Sequence, residues 1–268
     1  MHKLTISDLS IVLIEPSVPQ LKLIVKHLQE EGIKYINGVS SGEEALEAIK
    51  SFLPDLLISS MYLPDATATE LFTRIKESDD FPDMQCMLIS SETSRAALEP
   101  IRQAGVVAIL PKPFDHADLK RALRASVEFV DPEELELNHY DIEAVRVLLV
   151  DDSAPARKHI TKVLNNMGIL RITSANDGKE ALAIFAETPD AFDLIVTDYN
   201  MPEMDGQELI EVIRTKMENS SIPILMVTSE SNQVTLNKIQ QAGVSAICDK
   251  PFEPKNIKEL VYRLLEEI

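Results

Sequence analysis

Val147-Leu148-Leu149-Val150-Asp151-Asp152-Ser153 is a short apolar run that stops abruptly at two carboxylates. At an offset of 136 residues upstream stands Ile11-Val12-Leu13-Ile14-Glu15-Pro16-Ser17, the same run with a different ending. The echo continues outward. SSGEEALEAI from Ser40 pairs with NDGKEALAIF at the same offset, which aligns Gly42 with Gly178. Beyond that point the offset becomes 138. PDLLISSMYLPD then pairs with FDLIVTDYNMPE, CMLISSE with ILMVTSE, and QAGVVAILPKPF with QAGVSAICDKPF. A constant offset with one two-residue slip is the mark of a tandem duplication, and 268 residues suit two domains of ordinary size. The copies are expected at 1–127 and 145–268. The linker between them, 128–144, holds seven acidic residues and no basic one. It reads as a solvated spacer, with a short helix at Asp131-Pro132-Glu133-Glu134 as the alternative.

The second copy alternates two kinds of segment. Apolar, strand-length runs occupy Arg146–Val150, Leu170–Thr173, Leu194–Thr197, Ile222–Val227 and Ala246–Cys248. Helical spacing marks Pro155–Met167, Gly178–Ala186, Gly206–Met217, Gln233–Ala242 and Asn256–Leu265. Five strands alternating with five helices predict an α/β fold, a doubly wound parallel sheet covered on both faces. Ligands of such sheets bind at the carboxyl ends of the strands.

Those ends carry chemistry. The first strand ends in Asp151-Asp152, the third in Asp198, the fourth in Thr228, and the fifth just before Lys250-Pro251. Three carboxylates at one sheet edge repel one another unless a cation neutralises them. Oxygen ligands of this number suit Mg²⁺. With a lysine and a hydroxyl beside them, they form a site for a phosphoryl group, with Asp198 as nucleophile. Three strand-end aspartates could instead serve as helix N-caps. No GxxxxGK[ST] loop is present, so a nucleotide is not the expected donor.

The pieces LLVDDS, VTDYNMPEMDG, VTSE and AGVSAICDKPF resemble the receiver domains of bacterial two-component systems, across the whole second copy. The resemblance implies a flavodoxin-like (βα)5 fold of strand order 2-1-3-4-5. It implies that Asp198 accepts a phosphoryl group from a histidine kinase phosphohistidine. Asp152, Asp198 and the backbone carbonyl of Asn200 would hold Mg²⁺, with Asp151 acting through water. Lys250 and Thr228 would contact the phosphoryl oxygens, and Lys250-Pro251 would be a cis peptide. One departure stands out: an aromatic residue of the family's chemotaxis member, three positions before the lysine, is here Ile247. An altered readout is therefore expected.

The first copy keeps the pattern and loses the site. Ser60 stands for Asp198, Pro16 for Asp152, Glu15 for Asp151 and Ser90 for Thr228, while Lys112 remains. The expectation is a pseudo-receiver in which Glu15 and Lys112 pair without a metal. Phosphorylation of Ser60 itself is the competing idea.

Composition bounds the rest. Forty-four acidic residues against 26 basic ones leave a net charge of −18 and a pI near 4.7, which argues against direct nucleic-acid binding. No apolar run approaches the ~20 residues of a membrane span, and the N-terminus lacks a signal-peptide core. Two cysteines, Cys86 and Cys248, make no disulfide framework; both are expected in the core, and a cytoplasmic location follows. His159 is expected at a solvated helix position. The reading is a two-component response regulator, not an enzyme beyond its own phosphorylation and dephosphorylation. Its partners would be a histidine kinase or phosphotransfer protein and a downstream protein, with a homodimer possible through the first copy. Two alternatives are the input half of a larger regulator, such as a diguanylate cyclase or kinase, and a phosphate sink. In the first alternative the terminal Leu264–Ile268 would continue as a signalling helix.

Overall fold

The computed structural model describes residues 4–78, 80–81, 84–130, 142–217 and 221–266. The chain divides into two compact units, Met1–Glu133 and Glu134–Ile268. The proposed short helix at Asp131–Glu134 and the last two residues of the proposed signalling helix lie outside the described residues.

In the first unit β1 (Ser10–Ile14), β2 (Tyr35–Val39), β3 (Leu56–Ser59), β4 (Gln85–Ser90) and β5 (Ala108–Pro111) alternate with five helices. These are α1 (Val18–Glu30), α2 (Gly42–Ser51), α3 (Ala68–Glu77), α4 (Arg95–Gln103) and α5 (His116–Val130). The strands form one sheet in the order β2-β1-β3-β4-β5, all parallel. The second unit repeats this with β6 (Arg146–Val150), β7 (Arg171–Ala175), β8 (Leu194–Thr197), β9 (Ile224–Thr228) and β10 (Ala246–Asp249). Its helices are α6 (Ala154–Asn166), α7 (Gly178–Glu187), α8 (Gly206–Lys216), α9 (Gln233–Gln241) and α10 (Pro254–Glu266). Its sheet runs β7-β6-β8-β9-β10, again parallel. Each unit therefore has the flavodoxin-like order 2-1-3-4-5 that the resemblance implies.

The burial pattern explains why the central strands are legible as continuous apolar runs. Every residue of β8 and β9 is buried, because helices cover both faces of a parallel sheet. The edge strand β7 is mostly exposed and starts and ends later than its hydrophobicity suggests. Helix starts are capped in the ordinary way. Asp177 accepts hydrogen bonds from the Lys179 and Glu180 amides at the head of α7, and Asp205 and Glu208 form a capping box on α8. The repeat extends to backbone conformation: the aligned pairs Gly32 and Gly168, and Gly105 and Gly243, all follow helix ends with positive φ.

One expectation is overturned. His159 is buried at 5% exposure, with its ring 5.1 Å from that of Phe252. The inward stripe of α6 is Pro155, Ala156, His159, Ile160, Val163 and Leu164, and position 159 falls on it by helical geometry. Polarity alone argued for solvent; the 3.6-residue period decided otherwise. Cys86 and Cys248 are buried as expected, and desolvation pushes their thiols up to about 11 and about 12.

Candidate functional site

Three loops of the second unit converge at the carboxyl edge of its sheet. The end of β6 delivers Asp151 and Asp152, the end of β8 delivers Asp198, and the turn after β10 delivers Lys250. Adjacency of β6 and β8 in the sheet places the first two loops side by side. The Asp198 amide donates to the Val150 carbonyl at 2.8 Å, which ties the loops together. Carboxylate oxygens of Asp151, Asp152 and Asp198 lie within 4.8 Å of one another.

Asp151 and Asp198 are almost wholly buried, and so is the Lys250 side chain. Lys250 Nζ stands 2.7 Å from Asp151 Oδ2 and 3.3 Å from Asp198 Oδ2. Burial alone would lower the lysine; the charges of Asp151 and Asp198 outweigh it and hold the ammonium above its usual range. The second oxygen of each acid is also engaged. Asp151 Oδ1 accepts from the Ser153 amide at 2.8 Å, and Asp198 Oδ1 accepts from the Tyr199 amide at 2.8 Å. Thr228 is buried at the end of β9, next to β10, and its Oγ1 accepts from the Glu230 amide at 3.0 Å. Its hydroxyl hydrogen remains to be donated. The Lys250 amide bonds the Thr228 carbonyl at 2.8 Å, and the Lys250–Pro251 peptide is cis. Asn200 lies two residues past Asp198 on an exposed loop.

Three acids against one lysine leave negative charge over. The Asp152 carboxyl is held above its usual value first by partial burial and then by the charge of Asp151, against the opposing charges of Lys250 and Arg157. This donor set, rich in carboxylate and short of cation, fits a hard divalent ion such as Mg²⁺. It also makes a prediction. A carboxyl that holds its proton more tightly in the folded state costs stability above its unfolded pKa, and the cost vanishes in acid. Asp152→Asn is expected to stabilise the metal-free second unit at neutral pH, by less than about 1 kcal/mol once solvent screening is allowed for. Thermal melts with chelator present test this; a lower midpoint for the variant would contradict it.

Two neighbours were not legible as site residues. Arg157 donates to the Asp151 carbonyl at 2.5 Å, a contact that no motif announces. Gly206 donates to the Tyr199 carbonyl at 2.9 Å, and a Cβ built on it would lie 2.2 Å from the Asp198 carbonyl oxygen. Any larger residue must displace the backbone that carries Asp198. Gly206→Ala is therefore expected to destabilise the second unit by about 1–3 kcal/mol, the usual cost of overpacking. An unchanged urea midpoint would show that the loop yields freely.

The corresponding edge of the first unit has a different network. Glu15 is buried beside Pro16, and Lys112 Nζ pairs with its Oε2 at 2.8 Å, as expected. The same oxygen accepts from Ser60 Oγ at 2.5 Å, and Oε1 accepts from the Ser17 amide at 2.9 Å. Gln20 Oε1 takes a further Lys112 hydrogen bond at 2.6 Å. Burial would raise the Glu15 carboxyl, but Lys112, Ser60 and Ser17 together hold it below its usual value. One acid and one lysine leave no surplus charge, and this edge does not fit a hard divalent ion. A cavity of about 680 Å³ opens over it, with an apolar lining that includes Leu23, Met61 and Phe114.

The chain is similar to several known proteins. Chemotaxis protein CheY of Pseudomonas aeruginosa is 33% identical over 124 residues, 46% of this chain and 98% of that protein. Chemotaxis protein CheY-3 of Vibrio cholerae is also 33% identical over 124 residues, 46% of this chain and 94% of that protein. Among solved structures, chemotaxis protein CheY4 of Vibrio cholerae is 33% identical with a TM-score of 0.42, covering 45% of this chain and 98% of its own. A two-component system response regulator/GGDEF domain protein covers 97% of this chain and 98% of its own at 22% identity and a TM-score of 0.45. No helix among the described residues is long and apolar enough to cross a membrane. Residues 11–124 and 147–262 each match the response regulator receiver domain, and the chain belongs to that family, as two receiver domains in tandem.

Proposed function

We propose that the second receiver domain is the phosphoryl acceptor of this protein, on Asp198, and that the first is a non-phosphorylatable docking or dimerisation module. The observation that carries the reading is the pairing of a buried Asp198 with Lys250, 3.3 Å away, inside a cluster of three carboxylates. The domains proposed for these roles are 1–127 and 145–268, joined by the acidic segment 128–144.

The chain's own groups divide the work. Asp198 Oδ1 is held by the Tyr199 amide, which fixes the carboxylate plane. An Asp198 oxygen attacks phosphorus while the bond from phosphorus to the donor's imidazole nitrogen breaks. The leaving imidazole keeps that bond's electron pair, and an acyl phosphate remains. Lys250 supplies a positive charge to the phosphoryl oxygens, and the Thr228 hydroxyl supplies a hydrogen bond. Asp151, Asp152, Asp198 and the Asn200 carbonyl are the residues proposed to hold Mg²⁺. When bound, that ion offsets the charge that develops on the transferring group. The donor is a histidine kinase or a phosphotransfer protein, and output runs through contacts with a protein target.

In the first receiver domain both oxygens of Glu15 are engaged and Ser60 replaces the acceptor carboxylate. The test is intact-mass measurement of the whole chain after incubation with acetyl phosphate. One Mg²⁺-dependent adduct of about +80 Da supports the reading, since a single phosphoryl group is transferred. Two adducts, or none, would refute it.

A further inference from the structure

Away from the carboxyl edge, the first receiver domain brings two imidazoles and a carboxylate together. His27 and Glu30 lie one turn apart at the end of α1, and His116 opens α5, 89 residues on from His27. One ligand atom from each lies within 4.8 Å of the others. We propose that His27, Glu30 and His116 form a binding site for a borderline divalent transition-metal ion, with Zn²⁺ as the representative.

The donor chemistry selects the ion. Two imidazoles and one carboxylate are a known zinc set, with bonds of about 2.0–2.2 Å in tetrahedral geometry. Ligand atoms of such a site stand roughly 3.3–3.5 Å apart. His116 Nε2 and Glu30 Oε2 are already 3.2 Å apart. Imidazole ligands exclude Mg²⁺ as the preferred occupant. Three protein ligands leave a fourth position for water.

Three surrounding features support the assignment. His116 Nδ1 lies 3.5 Å from Glu31 Oε1, so one ring nitrogen faces a ligand carboxylate and the other an outer carboxylate. That arrangement fixes the tautomer of a metal-bound histidine and raises its basicity. Second, Glu30 and Glu31 stand at the carboxyl end of α1, where the helix dipole disfavours acids. Lys26, 3.7 Å from Glu30 and well exposed, offsets little of that charge, and a bound cation would offset more. Third, the internal repeat supplies a control. The positions aligned with His27, Glu30 and His116 are Val163, Asn166 and Pro254, none of which makes this set. The cluster belongs to the first domain alone.

A metal here would join the end of α1 to the start of α5. His27 also lines the cavity above Glu15 and Lys112, and its ring meets Phe114 edge-on at 6.0 Å. The site would thus stiffen one wall of that cavity.

Zn²⁺ titration of the full chain by calorimetry tests the proposal, in an Asp152→Asn, Asp198→Asn background that weakens the three-carboxylate cluster. One Zn²⁺ per chain is expected, undiminished by a tenfold excess of Mg²⁺. Adding His27→Ala and His116→Ala should weaken binding by more than about 100-fold, and Glu30→Gln alone by roughly tenfold or more. Zn²⁺-induced NMR shifts of the imidazole protons in the unmutated chain provide a readout that does not depend on the variants folding. Shifts at His27 and His116 support the site. No Zn²⁺ binding in the background chain, binding undiminished in the histidine variants, or shifts confined to other histidines would overturn it.

Discussion

Asp198→Asn is expected to abolish the phosphoryl adduct on the whole chain, taking it from one group to none. The substitution keeps the side chain's size and its hydrogen bond from the Tyr199 amide, and removes only the anionic nucleophile. An amide oxygen does not form a stable acyl phosphate, so the loss should be complete rather than graded. Ser60 offers no substitute, because the hydroxyl is bound to Glu15 and Lys112 is already engaged by Glu15 and Gln20. Intact mass after acetyl phosphate treatment reads the outcome. An adduct that survives in the variant would move the acceptor elsewhere, and peptide mapping to Ser60 would restore the competing idea for the first domain.

The second large effect concerns Lys250. Its ammonium stands between Asp151 and Asp198 with a side chain only 3% exposed. Removing one partner of a buried ionic cluster leaves charge uncompensated, and costs about 3–5 kcal/mol. Lys250→Met is expected to lower the stability of the second domain by that amount without metal, and Mg²⁺ should restore part of it. The pH window follows from the raised lysine value. Its contribution is complete below the unfolded pKa, near 10.5, and is lost only as pH rises through the higher folded value. Across neutral pH the wild type should therefore show no loss from this group. Urea unfolding followed by a probe in the second domain measures the effect. A variant as stable as the wild type would mean that the buried Lys250 ammonium does not hold this cluster together.

Much of this was readable from residues alone, and for a definite reason. Runs such as Leu194–Thr197 are buried on both faces, so their hydrophobicity is continuous and their ends are sharp. The residue after each run then falls at the sheet's carboxyl edge whatever the details of packing. That is why Asp151, Asp198 and Thr228 could be named as neighbours although they are far apart in sequence. Where a segment is half-exposed the signal weakens: the apolar run at β7 is offset from the strand by one or two residues, and the polarity of His159 points to solvent although the helical period points it inward.

The repeat, the two α/β domains, and the loss of carboxylates at Pro16 and Ser60 are properties of residue order, because they depend only on identity and spacing. Contacts that join distant side chains are not. The bond from Arg157 to the Asp151 carbonyl, the closeness of Gly206 to the Asp198 backbone, and the meeting of His27 with His116 arise from how loops and helix ends pack. A one-dimensional pattern specifies which face of an element is buried. Which side chains meet across two elements is set by the sheet order and by the helices that cross it, and only the tertiary structure decides that.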